Sequence, residues 1–173
     1  HTRYWRDWSS DVCSSDLLTI LGIVANSTLI ADPSTPQGRA TDWIINEDEL
    51  QVCPDDEKII QRWTLAVLYF STIGENWSQC FEGDGLCLPN EASQSFLSSF
   101  DECEWFGITC IPVGDNFCVE RIIFEANGLS GTIPSELALL PALIILGLEQ
   151  GTTSGTIPSE LGKLTDMIFI DFD

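Results

Sequence analysis

Histidine and positive charge are nearly absent from this chain. One His, at position 1, and 7 Lys and Arg stand against 27 Asp and Glu, a formal net charge of −20 over 173 residues. A surface of that sign repels nucleic-acid phosphates and anionic membranes, so neither is an expected partner. With no second His and no C-x-x-C pair, the usual zinc ligand sets are missing. No Gly-rich phosphate loop is present either, and neither metal nor cofactor is expected. Carboxylates are abundant, yet none stand apart as an acid–base couple, so the chain is not expected to be an enzyme. No apolar run approaches the ~20 residues that span a bilayer; Leu17 to Ala25 is nine residues. A membrane connection is expected only through an anchor outside this sequence.

What is present begins with cysteine. Seven is an odd number, and an odd cysteine in a secreted protein needs an explanation. Residues 1–17 show no periodicity, and Asp7-Trp8-Ser9-Ser10-Asp11-Val12-Cys13-Ser14-Ser15-Asp16-Leu17 resembles a translated sequencing adapter. Set aside as such, that stretch takes Cys13 with it. Cys53, Cys80, Cys87, Cys103, Cys110 and Cys118 remain. Their connectivity is open. Cys80–Cys87 and Cys103–Cys110 make attractive short loops, and Cys53 would then be left for Cys118. Cysteines in such number point to an oxidising compartment. The N-x-S/T triplets at Asn26 and Asn76 are candidate glycosylation sites and agree with an extracellular or cell-surface location.

The chain then reads as helices followed by repeats. Residues 18–31 suggest a short helix. Thr35 as N-cap with Pro36 at the first helical position starts a second, with Ala40, Trp43 and Ile44 on its apolar face and Asn46–Glu49 polar. The acids Asp55, Asp56 and Glu57 suit the start of the strongest helix, where the dipole favours negative charge. Its core stripe is Ile59, Trp63, Ala66, Val67 and Phe70, and Gly74 is the expected stop. One helical turn is expected near Gln94 to Phe100.

From residue 127 a period takes over. Gly131-Thr132-Ile133-Pro134-Ser135-Glu136-Leu137 returns 24 residues later as Gly155 to Leu161. Leu140, Leu143, Leu146 and Leu148 recur as Leu164, Met167, Ile170 and Phe172, and one period earlier Ile122 and Phe124 stand for Leu146 and Leu148. Each unit offers a short strand and a Gly/Pro turn that bury their apolar face only against a neighbouring unit. Asn127-Gly128-Leu129-Ser130-Gly131-Thr132-Ile133-Pro134 resembles the signature of plant-type leucine-rich repeats. Cys103-Glu104-Trp105-Phe106-Gly107-Ile108-Thr109-Cys110 resembles the end of the N-terminal cap on such ectodomains. With the preceding helix and Asn76-Trp77, the combination is similar to leucine-rich-repeat families of diatoms. The resemblance implies an α/β fold: a leucine-rich-repeat solenoid with a helical, disulfide-stapled cap. The cap would cover residues 18–118, with Trp105 over the 103–110 bridge, and about two repeats would cover 119–173. In the second unit Gly151 and Thr153 replace the Asn and Leu of the pattern, which breaks the buried Asn ladder of such repeats. The period running into Asp173 leads us to expect that the sequence is truncated there.

If Leu146 and Leu148 point inward, their neighbours point to the concave face. The 24-residue offset makes three rows: Arg121, Ile145, Phe169; Ile123, Gly147, Asp171; and Glu125, Glu149, Asp173. Ile145 and Phe169 are candidate anchors for a protein or glycan ligand, with the acids steering it. The expected role is recognition in a receptor-like or cell-surface protein. The alternatives are a structural, adhesion or ice-binding solenoid, the last using Thr132/Thr156 and Ser130/Ser154, or a secreted hydrolase inhibitor.

Overall fold

The computed structural model describes residues 19, 21–22, 25–52, 58–84, 87 and 93–172. The fold is mixed α/β. Helices α1 (Ser27–Ile30), α2 (Pro36–Asn46) and α3 (Lys58–Ser71) come first. Two sheets follow. The larger has the spatial order β1 (Ile108–Val113), β2 (Asn116–Glu125), β4 (Ile145–Glu149), β6 (Phe169–Asp171). The smaller pairs β3 (Ser130–Thr132) with β5 (Thr152–Ser154).

Local chemistry accounts for the helix starts. Thr35 Oγ1 accepts the Gly38 N–H at 3.0 Å and Pro36 sits in the first turn of α2. Asn26 caps α1 by accepting from Thr28 N–H at 3.0 Å. Residues 19 and 21–22 are helical, but the bend at Ala25 separates them from α1, so 18–31 is not one helix. Helix α3 is buried almost all round, with Ile59, Trp63, Leu65, Ala66, Val67 and Leu68 in the core. A helix apolar on every side is a central one. Its expected acidic start, residues 55–57, lies outside the described residues, as does Cys53. At its other end, Ile73 rather than Gly74 takes the left-handed conformation that turns the chain, with φ 54°.

The polar exception on α3 is Arg62, which is wholly buried. Its Nε and Nη2 donate to the two carboxylate oxygens of Asp48, each at 2.6 Å. Nη2 also donates to the Ser98 carbonyl at 2.8 Å and Nη1 to the Phe100 carbonyl at 2.9 Å. Glu102 Oε2 stands 3.5 Å from Nη1. The guanidinium lies over Trp105 and Trp43, 4.7 and 5.3 Å from the ring centroids. Asp48, in a polar stretch, is therefore drawn inside, because a buried guanidinium needs a bidentate partner. Beside it Lys58 donates to Asp101, and Gln61 Nε2 donates to Glu102 Oε1 at 2.7 Å. Burial alone would raise the Asp101 carboxyl. Hydrogen bonds from Lys58 and the Cys103 N–H outweigh burial and hold it below the usual carboxylate range.

An aromatic seam joins the helices to the sheet. Phe96 is at its centre, with ring centroids 5.0 Å from Trp77, 4.9 Å from Trp105, 5.7 Å from Phe124 and 6.0 Å from Tyr69. The turn carrying it is not the expected helical one. Gln94 bridges to Trp105, and Phe96 N–H donates to the Cys80 carbonyl at 2.9 Å. Trp105 packs on Arg62, Trp43 and Phe96. Disulfides Cys80–Cys87 and Cys103–Cys110 close two short loops here. Cys118 carries a free thiol, and Cys53, the partner suggested for it, lies outside the described residues.

In the sheet, β1 and β2 form an antiparallel hairpin through Gly114-Asp115. Gly114 has φ +61° while Asp115 is not left-handed, the pattern of a type II′ turn, which suits the twist of paired strands. From β2 onward the pairing is parallel and keeps the 24-residue period. Arg121, Ile145 and Phe169 align, as do Ile122, Leu146 and Ile170. The period extends to the backbone. Ala126 and Gln150 are left-handed at φ 53° and 56°, Gly131 and Gly155 both have φ 91°, and the 3₁₀ turns Ser135–Leu139 and Ser159–Lys163 correspond. Inward residues Ile122, Phe124, Leu140, Leu143, Leu146 and Leu148 are buried in the same core as α3. That shared core and β2 itself run across the expected boundary at 118/119.

The smaller sheet breaks the period. Ser130 pairs with Thr152 and Thr132 with Ser154, an offset of 22. At Gly151 beside it, a Cβ would stand 2.8 Å from the Leu129 carbonyl oxygen. The backbones approach too closely for Asn or any other side chain. Asn127 instead ties backward: its Oδ1 accepts the Gln79 N–H at 2.7 Å and its carbonyl accepts the Ser78 N–H at 2.9 Å. Gly131 makes the corresponding close approach to the helices. A Cβ there would lie 2.3 Å from the Ser71 carbonyl oxygen, whereas at Gly155 the nearest atom is a Thr132 methyl at 3.6 Å.

Three outcomes follow. Arg62→Ala leaves Asp48 buried and unpaired, and urea titration should show a loss of about 3–5 kcal/mol. Gly131→Ala should cost clearly more than Gly155→Ala, whose penalty is the left-handed backbone alone, about 1–2 kcal/mol. Asp101, with its folded value depressed, contributes stability that is present above the ordinary carboxyl range and lost as pH falls through the folded value. Lys58→Met removes the cause, so its melting temperature should lie below wild type at neutral pH. The gap should narrow as pH falls from about 5 toward about 2.

Candidate partner-binding face

Strand alternation divides the large sheet into an inner face against the core and an outer face. The register brings two of the three expected rows together on the outer face. Arg121, Ile145 and Phe169 align across β2, β4 and β6, and Ile123, Gly147 and Asp171 form the second row. Glu125 pairs with Glu149 in the third, whose last member, Asp173, lies outside the described residues. Arg121 and Glu125 are exposed, and Ile123, Ile145, Glu149 and Asp171 are half-buried. Phe169 is 48% exposed. Gly147 differs from expectation. It is buried, because it has no side chain to rise above Ile123 and Glu149, so it contributes backbone only.

The face is therefore an apolar strip with a carboxylate border. Ile123, Ile145 and Phe169 supply the strip, and Glu125, Glu149 and Asp171 lie along one side of it. The single cation, Arg121, is held at 3.1 Å by its neighbour Glu120. Like charges on adjacent strands repel, and a cationic group placed over them relieves that cost.

Other polar clusters serve the fold. Asp101, Glu102 and Cys103 lie close enough to suggest a metal site. However, the Cys103 sulfur is bonded to Cys110, and Lys58 sits against both carboxylates, at 3.8 Å from Glu102. Glu82 is raised by burial and by Glu47 across from it, with Arg39 opposing. Arg39 itself is stacked on Phe70 at 4.3 Å and pairs with Glu75 at 3.5 Å. Tyr69, pushed up to about 12 chiefly by burial, accepts from the Glu82 N–H at 3.2 Å. Asn26 and Asn76 are both exposed, the latter in the 3₁₀ turn Gly74–Asn76. No helix among the described residues is long and apolar enough to cross a membrane.

Sequence reasoning missed two features near this face. One is a shallow groove of about 610 Å³ beside β6 with no charged residue in its lining, which includes Ile157, Leu161, Leu164, Met167 and Ile168. The repeat itself signals its lining, since Leu161, Leu164 and Met167 stand at the inward positions of the second unit. The other is a cleft of about 190 Å³ between α3 and β2, with Gln61, Phe117, Cys118 and Leu140 in its walls. No local signal in the sequence marks that one.

No family model matches this chain, and no curated protein matches it. Among solved structures, it is similar to the LRR ectodomain of the receptor kinase SOBIR1 from Arabidopsis thaliana. That match has a TM-score of 0.40 and 18% identity over 47% of this chain and 45% of the other. It is also similar to the BIR3–SERK2 complex from Arabidopsis thaliana, with a TM-score of 0.38 and 20% identity over 61% and 54% of the two chains. The matches span about half the length of those chains.

Proposed function

We propose that this chain is a capped leucine-rich-repeat module that recognises a protein partner outside the cell. In this reading β2, β4 and β6 begin a solenoid whose outer sheet face is the contact surface. The observation that carries the reading is the register. A 24-residue offset stacks Ile145 on Phe169 and Glu125 on Glu149, so each unit presents the same positions to the same side. The two disulfides support an oxidising compartment, and the exposed Asn26 and Asn76 are its candidate glycosylation sites. On the smaller sheet Ser130 lies opposite Thr152 and Thr132 opposite Ser154, so the Thr132/Thr156 and Ser130/Ser154 rows of the ice-binding alternative are not the ones that pair.

Charge names the partner chemistry. An apolar strip bordered by carboxylates suits an extended segment with an aliphatic or aromatic anchor flanked by Lys or Arg. A displayed peptide library panned against the chain should enrich such segments, and their binding should weaken with salt. The pair Ile145→Asp and Phe169→Asp should abolish the enrichment while leaving the circular dichroism unchanged. Enrichment that survives the pair, or no enrichment at all, rejects the proposal.

A further inference from the structure

The two N-x-S/T triplets read alike in the sequence, and the fold separates them. Asn26, Ser27 and Thr28 are all exposed. Their hydrogen bonds are local. Asn26 Oδ1 accepts the Thr28 N–H at 3.0 Å and the Thr28 hydroxyl at 2.7 Å. The Asn26 carbonyl accepts the Leu29 and Ile30 N–H groups at 3.0 and 3.1 Å. The amide nitrogen Nδ2 has no acceptor among the described residues. Of α1 only Ile30 is buried, so residues 26–28 can leave their turn without disturbing the core. Local openings of this kind cost far less than global unfolding.

Asn76-Trp77-Ser78 is pinned instead. Asn76 is exposed, but Trp77 is buried, with its ring 5.1 Å from Tyr69, 5.0 Å from Phe96 and 4.8 Å from Phe124. Ser78 N–H donates to the Asn127 carbonyl at 2.9 Å, and the next residue, Gln79, donates to Asn127 Oδ1 at 2.7 Å. Gly128 packs against the same triplet: a Cβ there would lie 3.1 Å from Ser78 Oγ. Freeing this triplet means withdrawing an indole from the aromatic seam that joins the helices to the sheet.

We propose that Asn26 is an attachment site for an N-linked oligosaccharide in the folded protein, whereas Asn76 is open to modification only before the fold closes. For the source cell this rests on the extracellular reading above. The donor is an oligosaccharide carried on a lipid diphosphate. Nδ2 bonds to C1 of its first sugar, and the C1–O bond breaks with its electron pair leaving on the diphosphate. One of the two Nδ2 protons passes to a base of the transferase. The turn at Asn26 uses the amide oxygen and the sugar takes the nitrogen, so the two are compatible on one side chain. A bulky hydrophilic chain at this point keeps the surface around α1 in solvent.

The test compares the folded, disulfide-bonded chain, made without sugar, with the same chain reduced, alkylated and shown unfolded by circular dichroism. Each is given a purified oligosaccharyltransferase and lipid-linked oligosaccharide, and mass spectrometry of the peptides around each site reads occupancy. Asn26 should be modified at comparable rates in both forms, and Asn76 at least about tenfold faster in the unfolded one. Thr28→Ala should abolish modification at Asn26 and Thr28→Ser should retain it, since the triplet needs a hydroxyl. A chain bare at Asn26 in either form overturns the proposal, as does a chain modified at Asn76 equally fast in both. The transferase meets the chain directly, so this outcome is independent of the peptide panning that tests the partner reading, and either can fail alone.

Discussion

A single buried guanidinium organises the helical half of this protein. Arg62 reaches α2 through Trp43 and the turn after it through Asp48, the 94–101 turn through two carbonyls, and the start of the sheet through Trp105. Each contact answers the same constraint: a charge taken out of water must have its donors engaged and its faces covered. Five donors in a fixed fork then dictate where three otherwise unrelated segments meet. Phe96, Trp77 and Trp105 fill the space around that meeting point, and Phe124 continues it into the repeats.

The repeats follow a different constraint. A single 24-residue unit has an apolar face and nothing to bury it on. The first unit solves this on one side with α3 and on the other with its successor. Gly131 marks the junction with the helices, where the backbone nears Ser71 too closely for any side chain. Among the described residues β6 has β4 on one side and no strand on the other. Ile157 and Ile168 are exposed there, and no charged residue lines the groove beside them.

Much of this was legible beforehand because it rests on local chemistry or on period. Thr35 with Pro36 announces a helix start, and the alignment of Ile145 with Phe169 follows from counting. Other features were not legible. Nothing in the polar stretch around Asp48 signals its burial beside Arg62, because burial of a charge depends on a partner distant in sequence. Phe96 sits in a polar stretch that suggests a helical turn, yet it is held by a bridge to Trp105. Gly147 falls on the right row but is buried, since alternation sets direction and not height.

The sequence by itself determined the period, the inward leucines, the rows of the outer face and the excess of negative charge. These need only the geometry of a strand and the recurrence of residues along one chain. Tertiary structure alone decided the free Cys118, the two-residue slip of the smaller sheet from the 24-residue period, and the burial of Arg62 with Asp48. Each of those depends on how closely two distant backbones or side chains approach, and that distance is set by packing, which no local pattern encodes.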